Sequence, residues 1–279
     1  MRTSRYCYPL CIQLPAFNDL NDPAFLSALD LLQERGFYGV ELNLLDFESL
    51  SPEELCRLLE AYQLKPTMVA TGARAKRDRL SLSSPDEVIR SKSVAAMREM
   101  VSYAQRLHAG VICGFIKGGP DGDRTECSRQ LQRSLDELAA DGTLQKAPVY
   151  LEATNHYEAL LVNTLAEGAV FAQHTQGPVC ILPDTYHMNI EERSAAQALA
   201  LHQSLYQNLH ISDNNRFFPG LGAIDFHAVL RLLQGLRYQG TITLEGRVRA
   251  NWADDVSFSC DYLEQVARRI CDFESELSN

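Results

Sequence analysis

The segment APVYLEATN (147–155) is a β-rich apolar run that turns polar at its carboxyl end. Three later stretches have the same design: PVCILPDTYH (178–187), QNLHISD (207–213) and GTITLEGR (240–247). Four earlier apolar bursts precede them: YPLCIQL (8–14), GVELNL (39–44), KPTMVATG (65–72) and AGVICGFI (109–116). Short, nearly continuous apolar runs of this kind predict strands of a parallel sheet that is covered on both faces.

Helical periodicity fills the intervals between these strands. In segments such as DPAFLSALDLLQERG and FHAVLRLLQGLRYQG, apolar residues recur at i, i+3, i+4 and i+7, which indicates helices with one buried face. Eight alternations of strand and helix predict an α/β fold, a (β/α)8 TIM barrel, as a single domain over residues 1–279. A doubly wound open sheet is the alternative, but no GxGxxG motif follows the first strand.

Local signals predict where several helices begin and end. Ser51-Pro52-Glu53 and Ser84-Pro85-Asp86-Glu87 are typical of helix starts, with a capping side chain and a proline in the first turn. Gly36, Gly110 and Gly240 each stand just before a predicted strand, and we expect them to act as helix C-caps.

Charge and cysteine usage exclude several classes of protein. The 279 residues carry a formal net charge of −10, so the overall field opposes nucleic acid and anionic membranes. No run approaches the roughly 18 apolar residues of a membrane span, and prolines interrupt any signal sequence near the start. The eight cysteines are scattered and indicate buried free thiols in a reducing compartment. We therefore expect a cytoplasmic protein rather than a nucleic-acid-binding or membrane protein.

Polar residues stand at the ends of the last four predicted strands. The active site of a (β/α)8 barrel lies at the carboxyl ends of its strands. Each of these strands breaks its apolar run with one carboxylate or imidazole, namely Glu152, Asp184, His210 and Glu245. Successive members are separated by about one βα unit, so all four side chains are expected to point into one mouth.

The types of these four residues favour one divalent metal ion. Three carboxylates and one imidazole suit Mn²⁺, Mg²⁺ or Co²⁺, and Zn²⁺ is also compatible with the set. A chain of this length buries a full core without a structural metal, so the ion is interpreted as catalytic. A single strand-end glutamate is more often a surface or ion-paired group, but four such residues at successive strand ends favour a metal centre.

At these residues the sequence resembles the xylose-isomerase-like TIM barrel superfamily of sugar phosphate isomerases and epimerases. Within it, the sequence is most similar to the D-tagatose and D-psicose 3-epimerase-like ketose 3-epimerases. The likeness is carried by LEATNHYE (151–158), DTYHMNIEE (184–192), HISDNNRFFPGLGAIDF (210–226) and ITLEGR (242–247). One position departs from the family pattern ExxNRxE, because His156 stands where the family has arginine.

The resemblance implies a role for each matching residue. Glu152, Asp184, His210 and Glu245 match the metal ligands, and Glu152 and Glu245 also match the catalytic acid/base pair. Glu158, His187 and Arg216 match the residues that bind the substrate.

The activity that the resemblance implies is that of a metal-dependent isomerase, a sugar or sugar phosphate epimerase of carbohydrate metabolism. Our hypothesis is epimerisation of a ketose at C3, in which Glu152 removes a proton and Glu245 returns one through a metal-stabilised enediolate. The expected cofactor is Mn²⁺ and the expected ligand a small-molecule sugar or sugar phosphate. The family often forms homodimers or homotetramers, and neither nucleic acid nor a membrane is an expected partner.

Other activities stay open on the same ligand set. An aldose–ketose isomerase, a hydroxypyruvate-type isomerase or a dehydratase would move the proton between different carbons. A nuclease similar to the AP endonucleases of the superfamily is disfavoured, because strands one to four end without a histidine and the chain is acidic. A non-catalytic sugar-binding barrel is disfavoured by the intact pair of glutamates.

A cluster of positive charge follows the third predicted strand. Arg74, Lys76, Arg77 and Arg79 lie on the expected active-site side, and Lys117, at the end of strand four, is expected to face the same mouth. Such a patch would suit a sugar phosphate. The alternative is a solvated loop whose basic side chains pair with neighbouring acids.

Overall fold

The computed structural model describes residues 5–47 and 50–277, with side chains described as far as residue 270. Its eight strands are β1 Leu10–Gln13, β2 Gly39–Asn43, β3 Lys65–Ala70, β4 Gly110–Cys113, β5 Val149–Glu152, β6 Val179–Leu182, β7 Asn208–Ile211 and β8 Thr241–Leu244. They form one parallel sheet in the order β6-β5-β4-β3-β2-β1-β8-β7. The predicted (β/α)8 barrel is confirmed, with strands shorter than the apolar bursts because each burst runs on into a loop.

Helices lie between the strands. They are α1 Pro23–Arg35, α2 Pro52–Ala61, α3 Gly72–Asp78, α4 Glu87–Arg106, α5 Arg124–Ala140, α6 Leu165–His174, α7 Thr185–Glu191, α8 Ala195–Leu201, α9 Phe226–Gly235 and α10 Trp252–Leu277. Two 3₁₀ turns, Phe115–Lys117 and Thr143–Gln145, complete the elements. Over the described ranges, no helix combines the length and the apolar character that crossing a membrane requires.

The barrel closes at a narrow seam between β6 and β7. Seven neighbouring strand pairs form regular parallel ladders, from β1 with β2 to β7 with β8. At the seam, a single bridge joins Asp184 to His210, and the His210 N–H donates to the carbonyl of Pro183 at 2.9 Å. Two of the predicted metal ligands thus flank the point where the ring closes.

Alternation along the strands decides which side chains reach the barrel interior. In β5, Val149 and Leu151 pack into the large core between strands and helices, whereas Tyr150 belongs to a small separate cluster with Met68 and Ile112. Successive strand side chains point to opposite faces, so Glu152 follows Tyr150 on the inner face. The same period places the polar strand-end residues of β6, β7 and β8 inside the barrel mouth.

The predicted helix starts are confirmed with one change in the capping residue. Ser51 caps α2 as expected, its hydroxyl accepting the Glu54 N–H at 3.4 Å. The cap of α4 is Asp86 rather than Ser84, because the Asp86 carboxylate accepts the Val88 N–H at 2.8 Å. Pro85 therefore precedes the helix.

One glycine prediction is confirmed and two are wrong. Gly36 ends α1 in the left-handed region with φ of 75°. Gly110 and Gly240 instead lie where a strand begins, and a Cβ at Gly110 would lie 2.6 Å from the ring of Tyr150. The left-handed positions after the preceding helices belong to His108 and Arg237. These two glycines serve close packing rather than helix termination.

The cysteines agree with the prediction of thiols. No disulfide joins the cysteines whose side chains are described, and Cys11, Cys113, Cys127 and Cys260 are buried. Cys271 lies outside the residues with described side chains.

Candidate metal centre

The inner positions of the last four strands bring the predicted ligands together. Glu152, Asp184, His210 and Glu245 each offer one ligand atom, and these atoms lie within 4.8 Å of one another. The Nδ1 of His210 is 3.9 Å from both Glu152 Oε1 and Asp184 Oδ2, and it hydrogen-bonds Glu245 Oε2. Three carboxylates and one imidazole nitrogen converging at one buried point form a donor set that fits a hard divalent ion.

A fifth carboxylate, which the sequence analysis did not single out, orients His210 from behind. Glu41 is fully buried in β2, and its carboxylate lies 3.0 Å from His210 Nε2. The same carboxylate accepts hydrogen bonds from Asn208 at 2.7 Å and Thr243 at 2.9 Å. A proton on Nε2 directed at Glu41 leaves Nδ1 to face the other ligands, which is the arrangement that a ligating histidine needs. The signal in the sequence was a lone glutamate in the apolar strand GVELN.

The two predicted acid/base glutamates have opposite electrostatic surroundings. Burial, reinforced by the charge of Glu245, raises the pKa of Glu152 to about 8. Burial also acts to raise the pKa of Glu245, but Arg216 and His210 outweigh it and hold that pKa well below its usual value. One carboxyl group is thus protonated and the other ionised at neutral pH in the metal-free chain, which is the pattern of an acid and a base in one site.

Arg216 enters the site from the loop after β7. Its guanidinium donates to Asp184 Oδ2 at 2.6 Å and lies 2.8 Å from Glu245 Oε1. Its φ of 65° is unusual for a residue with a side chain, and such strain is held only where the surroundings fix it. Two backbone hydrogen bonds do so, because the Arg216 N–H donates to the carbonyl of Asp213 at 2.9 Å and the Arg216 carbonyl accepts the Arg247 N–H at 2.7 Å.

His187 and Glu158 line the same cavity. The Asn155 backbone N–H donates to His187 Nδ1 at 3.2 Å, so the ring proton lies on Nε2, 3.9 Å from Glu152 Oε1. Burial lowers the pKa of His187, which keeps the ring neutral and makes Nε2 a donor. The Asn155 side chain also donates to the Glu158 carboxylate at 3.1 Å and holds it in place.

The cavity has a volume of about 110 Å³ and two chemically different halves. The half formed by β5 to β8 carries the carboxylates, His187 and Arg216. The other half lies beyond β1 to β4 and is lined by Gln13, Asn43, Ala70, Thr71, Gly72, Ile112, Gly114 and Phe115. The amide oxygen of Asn43 is buried there without a hydrogen-bond partner among the described residues. A larger depression of about 580 Å³ lies near the amino ends of β7 and β8, but its lining contains no carboxylate or histidine.

The basic cluster does not line this cavity in the described chain. Arg74 pairs with Asp78 at 2.5 Å and with Glu99 at 3.1 Å, and Arg77 pairs with Asp78 at 2.7 Å. Lys76 and Arg79 are exposed. The alternative of a surface segment whose arginines pair with acids describes this region better than a phosphate site.

One further expectation changes in the structure, and the residue that departs from the family pattern lies outside the cavity. Lys117 does not face the mouth, because it is 1% exposed and lies behind the cavity wall. His156, at the departure from the family pattern, is exposed and pairs with Glu191 at 2.5 Å outside the cavity lining.

Comparison with known proteins identifies the family. The family model described as Xylose isomerase-like TIM barrel matches residues 29–266, and the chain belongs to this family. The chain is 44% identical to 3-dehydro-D-guloside 4-epimerase of Escherichia coli (strain K12) over 132 residues, which cover 47% of this chain and about half, 48%, of that protein. It is 30% identical to L-ribulose 3-epimerase of Methylomonas sp. (strain DH-1) over 219 residues, covering 75% of this chain and 74% of that protein.

Solved structures agree in fold with this assignment. The apo crystal structure of 3-keto-D-glucoside 4-epimerase from E. coli superimposes with a TM-score of 0.77 and 26% identity, covering 94% of this chain and 99% of that one. A structure of L-ribulose 3-epimerase gives a TM-score of 0.79 at 20% identity, covering 96% and 98%. The predicted resemblance to the xylose-isomerase-like sugar epimerases is confirmed.

Proposed function

We propose that this protein is a metal-dependent sugar epimerase that inverts a hydroxyl-bearing carbon next to a ketone. The observation that carries the proposal is the pair Glu152 and Glu245. The two carboxylates share one buried ligand cluster, yet their surroundings shift their pKa values in opposite directions. Inversion at a carbon requires one group to remove a proton and another to return one to the opposite face.

The cofactor in this proposal is one divalent ion, Mn²⁺, held by Glu152, Asp184, His210 and Glu245. Such an ion supplies Lewis-acid stabilisation of negative charge on the substrate oxygens. Glu152 takes a proton from one face of the sugar and Glu245 delivers one to the other, as our sequence-based hypothesis has it. In the reverse direction the two exchange roles.

The remaining residues of the active half bind and orient the sugar. The neutral His187 donates from Nε2 beside Glu152, and Arg216 holds Glu245 while presenting positive charge to the developing negative charge. Glu158, fixed by Asn155, is placed to accept a hydrogen bond from a sugar hydroxyl. The pairing of the nearby arginines with Asp78 supports a sugar without a phosphate group.

Two substrate classes share this chemistry. The first is a ketose that is inverted at C3, next to the C2 ketone, which the similarity to L-ribulose 3-epimerase supports. The second is a sugar with a ketone at C3 that is inverted at C4, which the 44% identity to 3-dehydro-D-guloside 4-epimerase supports. In both, the proton that moves is on the carbon beside the ketone.

Deuterium exchange tests the proposal and separates the two classes. The protein with Mn²⁺ is incubated in D₂O with D-psicose, L-ribulose or methyl 3-dehydro-β-D-glucopyranoside, and NMR locates the deuterium. We expect incorporation at C3 of a ketose or at C4 of the 3-dehydro sugar. Glu152→Gln and Glu245→Gln should each abolish it, whereas the surface variant Glu34→Gln on α1 should not. Exchange that persists in both active-site variants would rule out the two-glutamate assignment.

A further inference from the structure

A buried lysine stands directly behind the active cavity without a carboxylate partner. Lys117 ends the 3₁₀ turn after β4, and its Nζ donates to Thr154 Oγ1 and lies 3.4 Å from the carbonyl of Gly114. Within the described side chains, no acidic group forms an ion pair with it. A buried amino group with so few partners is costly to a fold, and burial lowers the pKa of Lys117. Such a residue at the wall of an active site is therefore a candidate for a functional role.

The turn that carries Lys117 is itself held in place. The Leu82 N–H donates to the carbonyl of Ile116 at 2.8 Å, and the Ser83 N–H donates to the carbonyl of Lys117 at 3.2 Å. The lysine side chain is thus directed at β5 by a fixed backbone. This rigidity fixes where its hydrogen bond falls.

The contact determines the direction of the Thr154 hydroxyl. Lys117 Nζ donates to Thr154 Oγ1, so this oxygen is the acceptor in the contact. The hydroxyl proton of Thr154 then needs a different acceptor, and none is found among the described residues. Thr154 is 6% exposed and lines the cavity together with Glu152 and Glu158. The open direction for its proton is therefore the cavity.

We propose that Thr154 is a substrate-binding residue whose hydroxyl donates a hydrogen bond to an oxygen of the keto sugar, and that Lys117 is the positioning residue that fixes this donor. The contacted oxygen lies on the side of the sugar that faces Glu152 and Glu158. The inference rests on the proposed function for the identity of the ligand. It adds a specificity contact beyond the residues that match the family motifs.

Kinetics on four variants test the proposal. These are Thr154→Val, which has no hydroxyl, Thr154→Ser, which keeps it, Lys117→Met, and the double variant Lys117→Met/Thr154→Val. We expect Thr154→Val to lower kcat/KM about tenfold, the scale of one hydrogen bond, and Thr154→Ser to stay near the wild type. Since Lys117 acts through Thr154, the double variant should be no worse than Thr154→Val alone. Additive losses would overturn the positioning role.

Monodeoxy analogues of the sugar provide a readout that a purely structural role would not change. The wild type should discriminate about tenfold against the analogue that lacks the contacted oxygen, and Thr154→Val should not discriminate against it. Equal discrimination by both proteins against every analogue would overturn the contact. Thermal melts of the metal-free variants check that all four remain folded.

Calorimetric binding of D-psicose and methyl 3-dehydro-β-D-glucopyranoside, with Mn²⁺ present, separates this inference from the proposed function. Binding that weakens in Thr154→Val without any deuterium exchange in the wild type would support the contact and refute the epimerase. Deuterium exchange in the wild type, without any effect of Thr154→Val on sugar binding or rate, would support the epimerase and refute the contact. Neither binding nor exchange of any sugar would refute both.

Discussion

The substitution Glu41→Gln tests whether the Glu41 carboxylate determines which ring nitrogen of His210 carries a proton. The Glu41 carboxylate accepts from Asn208 and Thr243 as well as from His210 Nε2. In the variant, the amide oxygen takes the place of the oxygen that receives Asn208 and Thr243. The amide NH₂ then faces Nε2, where two donors cannot share a hydrogen bond. The ring relieves this conflict by losing the Nε2 proton and keeping the one on Nδ1, which hydrogen-bonds Glu245 and faces the candidate carboxylate ligands. An ion can then no longer displace the Nδ1 proton while the ring keeps one on Nε2.

The expected loss is large because a protonated Nδ1 cannot bind an ion. Removing a hydrogen-bond partner behind a ligating histidine costs about 10- to 100-fold in metal affinity. We expect Glu41→Gln to lie near 100-fold, about 2.7 kcal/mol, since the substitution both removes the acceptor and turns the wrong nitrogen toward the site.

Titration calorimetry of the metal-free proteins with Mn²⁺ measures this effect. Thr243→Val is the matched control, because it removes one donor to Glu41 and leaves the carboxylate opposite His210 intact. We expect its affinity to fall by less than about tenfold. A Glu41→Gln protein that folds and binds Mn²⁺ as tightly as the wild type would show that Glu41 does not prepare His210 for metal binding.

Three further substitutions have expected outcomes. Gly114→Ala would place a Cβ 2.2 Å from Glu152 Oε2, so kcat/KM should fall at least about tenfold. The control Gly119→Ala, whose Cβ would have nothing within 4 Å, should leave kcat/KM unchanged. Equal kcat/KM values of the two variants would contradict this prediction. The Arg90 hydrogen bond lowers the pKa of Glu87 to about 2, so its stabilising effect is full above about pH 4.5 and is lost as pH falls toward 2. The difference in the free energy of unfolding between the wild type and Glu87→Gln should therefore narrow over that range, and a constant difference would argue against the pairing. Asn43→Leu removes no hydrogen bond between described residues and should leave the melting temperature unchanged or raised. Asn163→Leu, which loses two hydrogen bonds of 2.8 Å, should lower the free energy of unfolding by about 1–3 kcal/mol, and equal melting temperatures of the two variants would contradict this.

The sequence predicted the fold and the ligand cluster because both depend on local pattern. The apolar bursts give the strands, and the inner-face period places one polar side chain at the end of each of the last four. The assignment of Glu152, Asp184, His210 and Glu245 to one mouth needed no distance information. Their individual roles in catalysis remain predictions.

The sequence did not predict which side chains on different strands of the barrel contact one another. Glu41 and His210 are separated by 169 positions and meet only because β2 and β7 both face the interior of one ring. Lys117 was expected in the mouth, but the 3₁₀ turn after β4 carries its side chain behind Thr154. Neither result follows from spacing along the chain.

One missed contact was readable from spacing. Arg74 and Asp78 stand four positions apart in α3 and form an ion pair at 2.5 Å. Oppositely charged residues at i and i+4 of a helix are neighbours on its surface. The segment could therefore have been read as self-paired had it been predicted as a helix instead of a loop.

The candidate metal centre lies at the narrow seam between β6 and β7, where the barrel closes. Asp184 and His210 form the bridge between β6 and β7, and both are candidate metal ligands. An ion bound by them would link the two edge strands of the sheet. A ligand held only by the closed ring stabilises that ring by mass action. Binding of the ion would then be coupled to closure of the barrel, and slower amide exchange in β6 and β7 on adding Mn²⁺ would show this coupling.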